Sequence, residues 1–332
     1  MKNPNIVIAG AGSIGCFVGG HLTVAGRSVT LLARPRVIDV INNNGLTVSD
    51  LTGASEQVPT DRLTLTDNPD CLASADLILV AVKTGATAEM AALIAKCAPP
   101  HAPVISLQNG LSGIETLSTT LAARDVRAGM VGFNVVPNGQ GGYHRATSGE
   151  IVIGDGPIDL AEMLTTPGLP ITETNEITAI QWGKLLLNLN NAPNALSGLP
   201  LAQMMLDRGW RRIMADQMTE ALRVLRAANI AVKSATPLRP SIVPHIMRLP
   251  TPLFRRIAAK MLAFDASARS SMSYDLMAGR RTEIDAFQGA VIELGDRHAI
   301  ATPVSARLRE LIHHAENAGQ GLPNLTPQDV RL

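Results

Sequence analysis

The run Gly10-Ala11-Gly12-Ser13-Ile14-Gly15 sets three glycines at the spacing G-x-G-x-x-G, directly after the apolar segment Ile6-Val7-Ile8-Ala9. A turn of this kind between a strand and a helix suits a pyrophosphate. The first glycine makes the tight turn, the second lets phosphates approach the backbone, the third lets the helix pack on the sheet, and the helix N-terminus offers free N–H groups. Ser28-Val29-Thr30-Leu31-Leu32-Ala33 follows as a second strand, at the distance a βαβ unit requires. The chemistry these residues point to is dinucleotide binding. At the end of the second strand stands Arg34, where enzymes that use NAD place an Asp or Glu to accept from the ribose 2′-OH. A guanidinium has no acceptor to offer a hydroxyl, but it grips a 2′-phosphate through paired charge-assisted bonds, and Arg36 can assist. The cofactor expected is therefore NADPH.

Two more polar residues end apolar runs. Asp76 to Val82 reads as a buried strand that delivers Lys83, and Pro103 to Leu107 as another that delivers Gln108-Asn109-Gly110. In an open α/β sheet, ligands sit at the carboxyl ends of the strands. Lys83 is readable as an ordinary strand-terminal charge and Asn109 as the former of an Asn-Gly turn, but their shared position favours contact with cofactor or substrate.

The elements that must position these groups fall into two sets. Up to about residue 175 the pattern is strand and helix in alternation, closed by Met130 to Val136 and Glu150 to Gly154, with the glycine-rich loop Gly139 to Gly142 joining them. After Arg34 a helix is expected through Ile41, stopped by Asn42-Asn43-Asn44-Gly45, with peripheral strands between Leu46 and Leu65. Beyond Ile177 apolar residues recur at helical spacing, as in Met214, Met218, Leu222 and Leu225. The fold class expected is an α/β Rossmann-type N-terminal domain, residues 1–175, followed by a mainly α-helical C-terminal domain, residues 176–332. The proline-rich piece from Pro237 to Pro252 is expected to break any helix and to run over the surface.

Composition bounds the function. With 332 residues, 46% hydrophobic and 17% charged, the chain can bury two cores. A formal net charge of +1 points to neither nucleic acid nor an acidic membrane surface. Cys16, Cys71 and Cys97 are too widely spaced for a disulfide framework or a zinc site, and fit a reducing cytoplasm. The apolar N-terminus is better read as the opening of the βαβ unit than as a signal peptide, given the glycine spacing and His21. No metal is expected, because His313-His314 is an adjacent pair that cannot face one ion from a helix.

Two segments of the second half carry a resemblance: Trp182-Gly183-Lys184-Leu185-Leu186-Leu187-Asn188, and Ser270-Ser271-Met272 running through Asp275 to Arg280-Arg281-Thr282-Glu283-Ile284-Asp285. On the residues alone Lys184 reads as an exposed helix lysine, Ser271 as a helix N-cap, and Glu283 as an ion-pair partner of Arg280. In this order, behind Gly10 to Gly15, Arg34, Lys83 and Asn109-Gly110, the segments resemble the ketopantoate reductase family, NADPH-dependent 2-dehydropantoate 2-reductases, over nearly the whole chain.

The resemblance implies that Lys184 is the general acid and also touches the substrate, which Asn188 and Ser271 hold. It implies that Glu283 contacts the cofactor near the reacting centre, and that Lys83 and Asn109 line the junction of nicotinamide and substrate. The substrate would lie in a cleft between the domains. Hydride delivery to a ketone leaves an alkoxide, so a cation that can release a proton lowers the barrier by charge and by acid catalysis. An ordinary lysine holds its proton too tightly at neutral pH, so desolvation or a neighbouring cation such as Lys83 should lower its pKa. On a helix Lys184 and Asn188, four apart, share a face.

The chain departs from the family at Ala192, where a second asparagine is common, at Ala268 and Arg269 before Ser271, and at Gln288, all expected on the substrate side. The expected reaction is reduction of ketopantoate to pantoate in pantothenate biosynthesis, on the coenzyme A pathway. The alternatives are a paralogue acting on another 2-oxo acid and a non-catalytic NADP-binding sensor. The partner expected is a small 2-oxo acid, with no nucleic acid and no membrane, and a homodimer is the candidate assembly.

Overall fold

The structure is a computed structural model that describes residues 4–234, 238–258 and 268–331. The chain divides into two compact units, Met1–Thr178 and Ala179–Leu332. In unit 1 the strands are β1 (Asn5–Ala9), β2 (Ser28–Leu32), β3 (Thr47–Ser49), β4 (Ser55–Gln57), β5 (Leu63–Thr66), β6 (Leu77–Val80), β7 (Val104–Ser106), β8 (Val126–Val131), β9 (Val135–Pro137), β10 (Gly142–Arg145), β11 (Ile151–Gly154) and β12 (Ile171–Thr174). Eight of them form one sheet in the order β12-β11-β8-β7-β6-β1-β2-β5. From β5 to β8 all pairs are parallel, whereas β11 runs antiparallel to β8. Strand order reverses between β1 and β6, the switch point at which such sheets bind ligands.

In the middle of this sheet both faces are buried, which is why β1 and β6 are continuous apolar runs. Ile6, Ile8, Leu77, Leu79 and Ile105 enter one core, and Val7, Ala9, Ile78, Val80 and Val104 enter the other. The first core takes the helix Ser13–Val24 through Cys16, Phe17 and Leu22. Cys16 is fully buried. Its thiol lies 3.4 Å from the Ala11 carbonyl oxygen, and burial pushes it up to about 11 against a hydrogen bond from Tyr143.

Three local expectations are corrected. The run Met130 to Val136 is broken at Gly132, so β8 belongs to the large sheet and β9 to a second sheet ordered β4-β3-β10-β9. The Gly139 to Gly142 loop therefore turns β9 into β10 and does not lead to β11. The helix after Arg34 runs through the asparagines, Pro35–Asn44, and stops only at Gly45, whose φ of 78° a glycine adopts without strain.

The regular elements described in unit 2 are helical. The longest, Arg208–Ala227, is capped by Asp207, which accepts from the N–H groups of Gly209 and Trp210. The proline-rich piece is a correction as well. It carries two short helices, Val243–Met247 and Thr251–Ile257, with Pro244 and Pro252 in their first turns, where no backbone donor is needed. Pro237 lies outside the described residues. Arg211, fully buried, fastens this piece: it donates to the carbonyls of Met247 (3.0 Å), Leu249 (2.8 Å), Met205 (3.0 Å) and Leu206 (3.1 Å), and lies over the Phe254 ring.

Candidate active site

In unit 1 the three glycines differ in the way the pyrophosphate chemistry requires. Gly10 has φ +98°, and a Cβ there would strike the backbone of Val82, so the turn crosses directly over the end of β6. Its N–H and that of Ala11 donate to Leu32 O (3.1 and 3.0 Å), tying the turn to the end of β2. A Cβ on Gly12 would meet nothing within 4 Å, and one on Gly15 would press on Gly10 O and Ile8. The helix that starts at Ser13 has no side-chain cap and no acid in its first turn. Open space in front of Gly12 and an uncapped helix N-terminus fit a diphosphate.

Adjacent strands bring the other unit 1 candidates to this edge. Ala9, Val80 and Ser106 are in register across β1, β6 and β7, so Gly10, Lys83 and Asn109 leave the sheet on the same side. Lys83 is exposed and Asn109 half-buried, with Gly110 at φ +75° completing the turn. Arg34 and Arg36 are exposed beyond β2, and no acid stands between Leu32 and Arg36. Gln108, read from the sequence only as part of the turn, holds these ends together. Gln108, buried, donates from Nε2 to Val82 O (3.0 Å) and to Thr87 Oγ1 (2.7 Å), and its Oε1 accepts from Ser106 Oγ (3.2 Å). The signal was a buried amide ending an apolar run.

In unit 2, Lys184 sits on the helix Ile177–Asn188, with Asn188 one turn further along. The helix is overlaid by the chain at Lys233, whose N–H donates to Ala179 O (3.0 Å) and whose carbonyl fills the place of any side chain at Gly183. Burial pushes the Lys184 ammonium down to about 8, and the Glu283 carboxylate pulls it the other way. Lys184 and Glu283, 99 positions apart in sequence, thus lie within electrostatic reach of each other. Of the two causes expected to lower the Lys184 pKa, desolvation or a neighbouring cation, burial is the one that acts, and the Glu283 anion opposes it. Arg280, the alternative partner for Glu283, pairs instead with Asp275 at 3.0 Å.

Ser271 is exposed and is the first residue of the helix Ser271–Met277. The N-cap is Ser270, which accepts from the Ser273 N–H. Asn194, fully buried, pins this helix start: its Oδ1 accepts from Ser270 N–H and Ser273 Oγ, both at 2.8 Å, while its Nδ2 donates to Leu199 O (2.9 Å). Ser270 Oγ also donates to Asn191 O (3.2 Å). Asn194 is a second positioning residue, given no role in the sequence reading, and only its type hinted at it.

Two of the departures from the family pattern lie in the interior of unit 2. Ala192 and Gln288 are fully buried. Gln288 lies in the π-helical turn Asp285–Gly289 and donates to Leu189 O (3.0 Å) and Gln217 Oε1 (3.1 Å). Gln217 Nε2 donates to the same Leu189 carbonyl at 2.9 Å. This amide pair belongs to the packing of unit 2, where it ties the end of the Lys184 helix to the turn after Glu283.

A glycine turn that fits a diphosphate and a lysine made acidic by burial suit an oxidoreductase that draws on a pyridine nucleotide. The sequence profile described as Ketopantoate reductase PanE/ApbA matches residues 6–157, and that of its C-terminal part matches residues 176–316. The 2-dehydropantoate 2-reductase of Halobacterium salinarum is 31% identical over 324 residues, covering 95% of this chain and 99% of that protein. The crystal structure of a PanE/ApbA family ketopantoate reductase from Ralstonia eutropha JMP134 superimposes with a TM-score of 0.81 at 30% identity, over 95% of this chain and 99% of that one. D-mandelate dehydrogenase, in a ternary structure with NADH and anilino(oxo)acetate, shares the fold at 21% identity, with a TM-score of 0.78 over 95% and 99%. The chain belongs to the ketopantoate reductase family, and it is an oxidoreductase acting on CH–OH groups.

Proposed function

We propose that the chain reduces 2-dehydropantoate to pantoate with NADPH and so serves pantothenate biosynthesis. The observation that carries the reading is Lys184, brought by burial to a pKa of about 8, where it is mostly protonated at neutral pH and still able to give the proton up. When bound, the cofactor supplies the hydride. Gly10 to Gly15 hold its pyrophosphate, Arg34 its 2′-phosphate, and Lys83, Asn109 and Glu283 its nicotinamide side. Lys184 stabilises the oxyanion that forms at the former carbonyl oxygen and protonates it, and Asn188 and Ser271 hold the substrate. A panel of 2-oxo acids followed by the loss of NADPH absorbance tests this reading. 2-Dehydropantoate should show the highest kcat/KM, and no turnover of any 2-oxo acid would leave a nucleotide-binding protein without the reaction.

A second reading keeps the chemistry and changes the acid. Ala192 and Ala268 stand where the family commonly has asparagines, and a fold neighbour is a D-mandelate dehydrogenase. A less polar 2-oxo acid would then lead the same panel. A homodimer and a cytoplasmic location complete the proposal. Three free cysteines support a reducing compartment, and sedimentation decides the assembly.

A further inference from the structure

Glu316 lies in the last turn of the helix Pro303–Ala318 with its side chain 3% exposed. Two costs meet there: a charge taken out of water, and a negative charge at the negative end of a helix. Burial pushes its carboxyl up, but the hydrogen bonds it accepts outweigh that and hold it below the ordinary carboxylate value. Arg281 donates to Oε2 at 2.8 Å, the Thr282 N–H donates to Oε1 at 2.7 Å, and His313 Nδ1 stands 3.2 Å from Oε2.

Arg281 and Thr282 are the two residues immediately before Glu283. Thr282 Oγ1 in turn accepts from Ile284 N–H (3.2 Å), and Glu283 O accepts from Ala286 N–H (3.0 Å), which closes the backbone around Glu283. On the other flank Asp285 is bound to the same long helix by Arg309 (2.7 Å) and by His313 Nε2 (3.2 Å). Both sides of Glu283 are therefore anchored on one helix. The N-terminal anchor is a buried carboxylate that packing alone would not select.

We propose that Glu316 is a positioning residue for the reaction: by gripping Arg281 and the Thr282 N–H it sets where the Glu283 carboxylate stands relative to the Lys184 ammonium, and so how readily Lys184 gives up its proton. The inference rests on Lys184 being the proton donor. The charged groups involved are Arg281, His313, Asp285 and Arg309 around Glu316, and Glu283 beside Lys184.

The test uses the full-length protein and needs no substrate. The pH dependence of Lys184 acetylation by acetic anhydride, read on the Lys184 peptide by mass spectrometry, gives the titration midpoint of that amine. Glu316→Asp keeps the charge and withdraws the carboxylate by one methylene, while Glu316→Gln keeps the reach and an acceptor oxygen and removes the charge. Positioning requires that Glu316→Asp lower the midpoint by roughly half a pH unit or more, toward the value in Glu283→Gln, and that Glu316→Gln, which keeps one acceptor for Thr282 but sets an NH2 group against Arg281, lower it less. An unmoved midpoint in Glu316→Asp, or a shift confined to Glu316→Gln, overturns the proposal. An unmoved midpoint in Glu283→Gln overturns it too, since Glu283 would then not act on Lys184. Failure of the proton-donor reading shows separately, as a Lys184→Ala variant that keeps its turnover.

Discussion

At the scale of single residues, the proposed reaction rests on Lys184 as acid and Arg34 as the reader of the cofactor phosphate. Lys184→Ala should lower turnover by on the order of 10²-fold or more while NADPH still binds, because an acid and a charge are removed from the transition state alone. As a proton donor with a pKa of about 8, Lys184 should give kcat a limb that is full below pH 8 and lost as pH rises through it. A flat profile to pH 10 would remove Lys184 from the step. The same depression has a cost in stability. The unfolded chain binds this proton up to about pH 10.4 and the native one only to about 8, so stability should rise with pH across that window. Arg34→Ala should weaken NADPH roughly tenfold or more and leave NADH nearly unchanged in a fluorescence titration, and equal losses would mean that Arg34 does not read the phosphate. The glycine turn was legible because backbone geometry dictates its residue types. The partner of Lys184 was not, because Glu283 reaches it through tertiary packing that no local spacing encodes.

At the scale of elements, the functional side chains are placed by buried polar residues on neighbouring elements. Asn194→Ala strips the acceptor from Ser270 N–H and Ser273 Oγ and should cost about 1–3 kcal/mol in urea unfolding, with a raised KM if the start of the Ser271 helix holds substrate. Unchanged stability would show that water takes over both donors. Arg211→Met leaves several buried carbonyls without donors and should cost on the order of 3 kcal/mol while sparing NADPH binding. Strands β1, β6 and β7 were legible as apolar runs because sheet burial on both faces needs nothing else. The break at Gly132 and the helices inside the proline-rich piece were not. A proline in a first turn reads like a helix breaker, and the residues that hold the piece, Arg211 and Arg208 on the long helix and Asp216 paired with Arg248, lie far off in sequence. Gln108 and Gln288 were illegible for a similar reason, since an amide shows its role only through the carbonyls it meets.

At the scale of the whole molecule, two units of unlike class share one chain, dividing between Thr178 and Ala179, while the change from alternating to helical patterning read from the sequence falls near residue 175. The buried Cys16 thiol gives a way to follow one of them. It sits in the first turn of the nucleotide helix, fully enclosed and reluctant to ionise, whereas Cys71 and Cys97 are half-buried. Burial raises the Cys71 thiol as well, so iodoacetamide at pH 8 should alkylate Cys71 slowly, label the half-buried Cys97, and reach Cys16 only when unit 1 opens, with NADPH slowing the Cys16 reaction alone. Equal alkylation of all three would show that the turn breathes on the timescale of the reagent. The chain thus carries a built-in clock: one atom of sulfur beneath the glycine turn, whose labelling time counts how often the floor of that turn lifts.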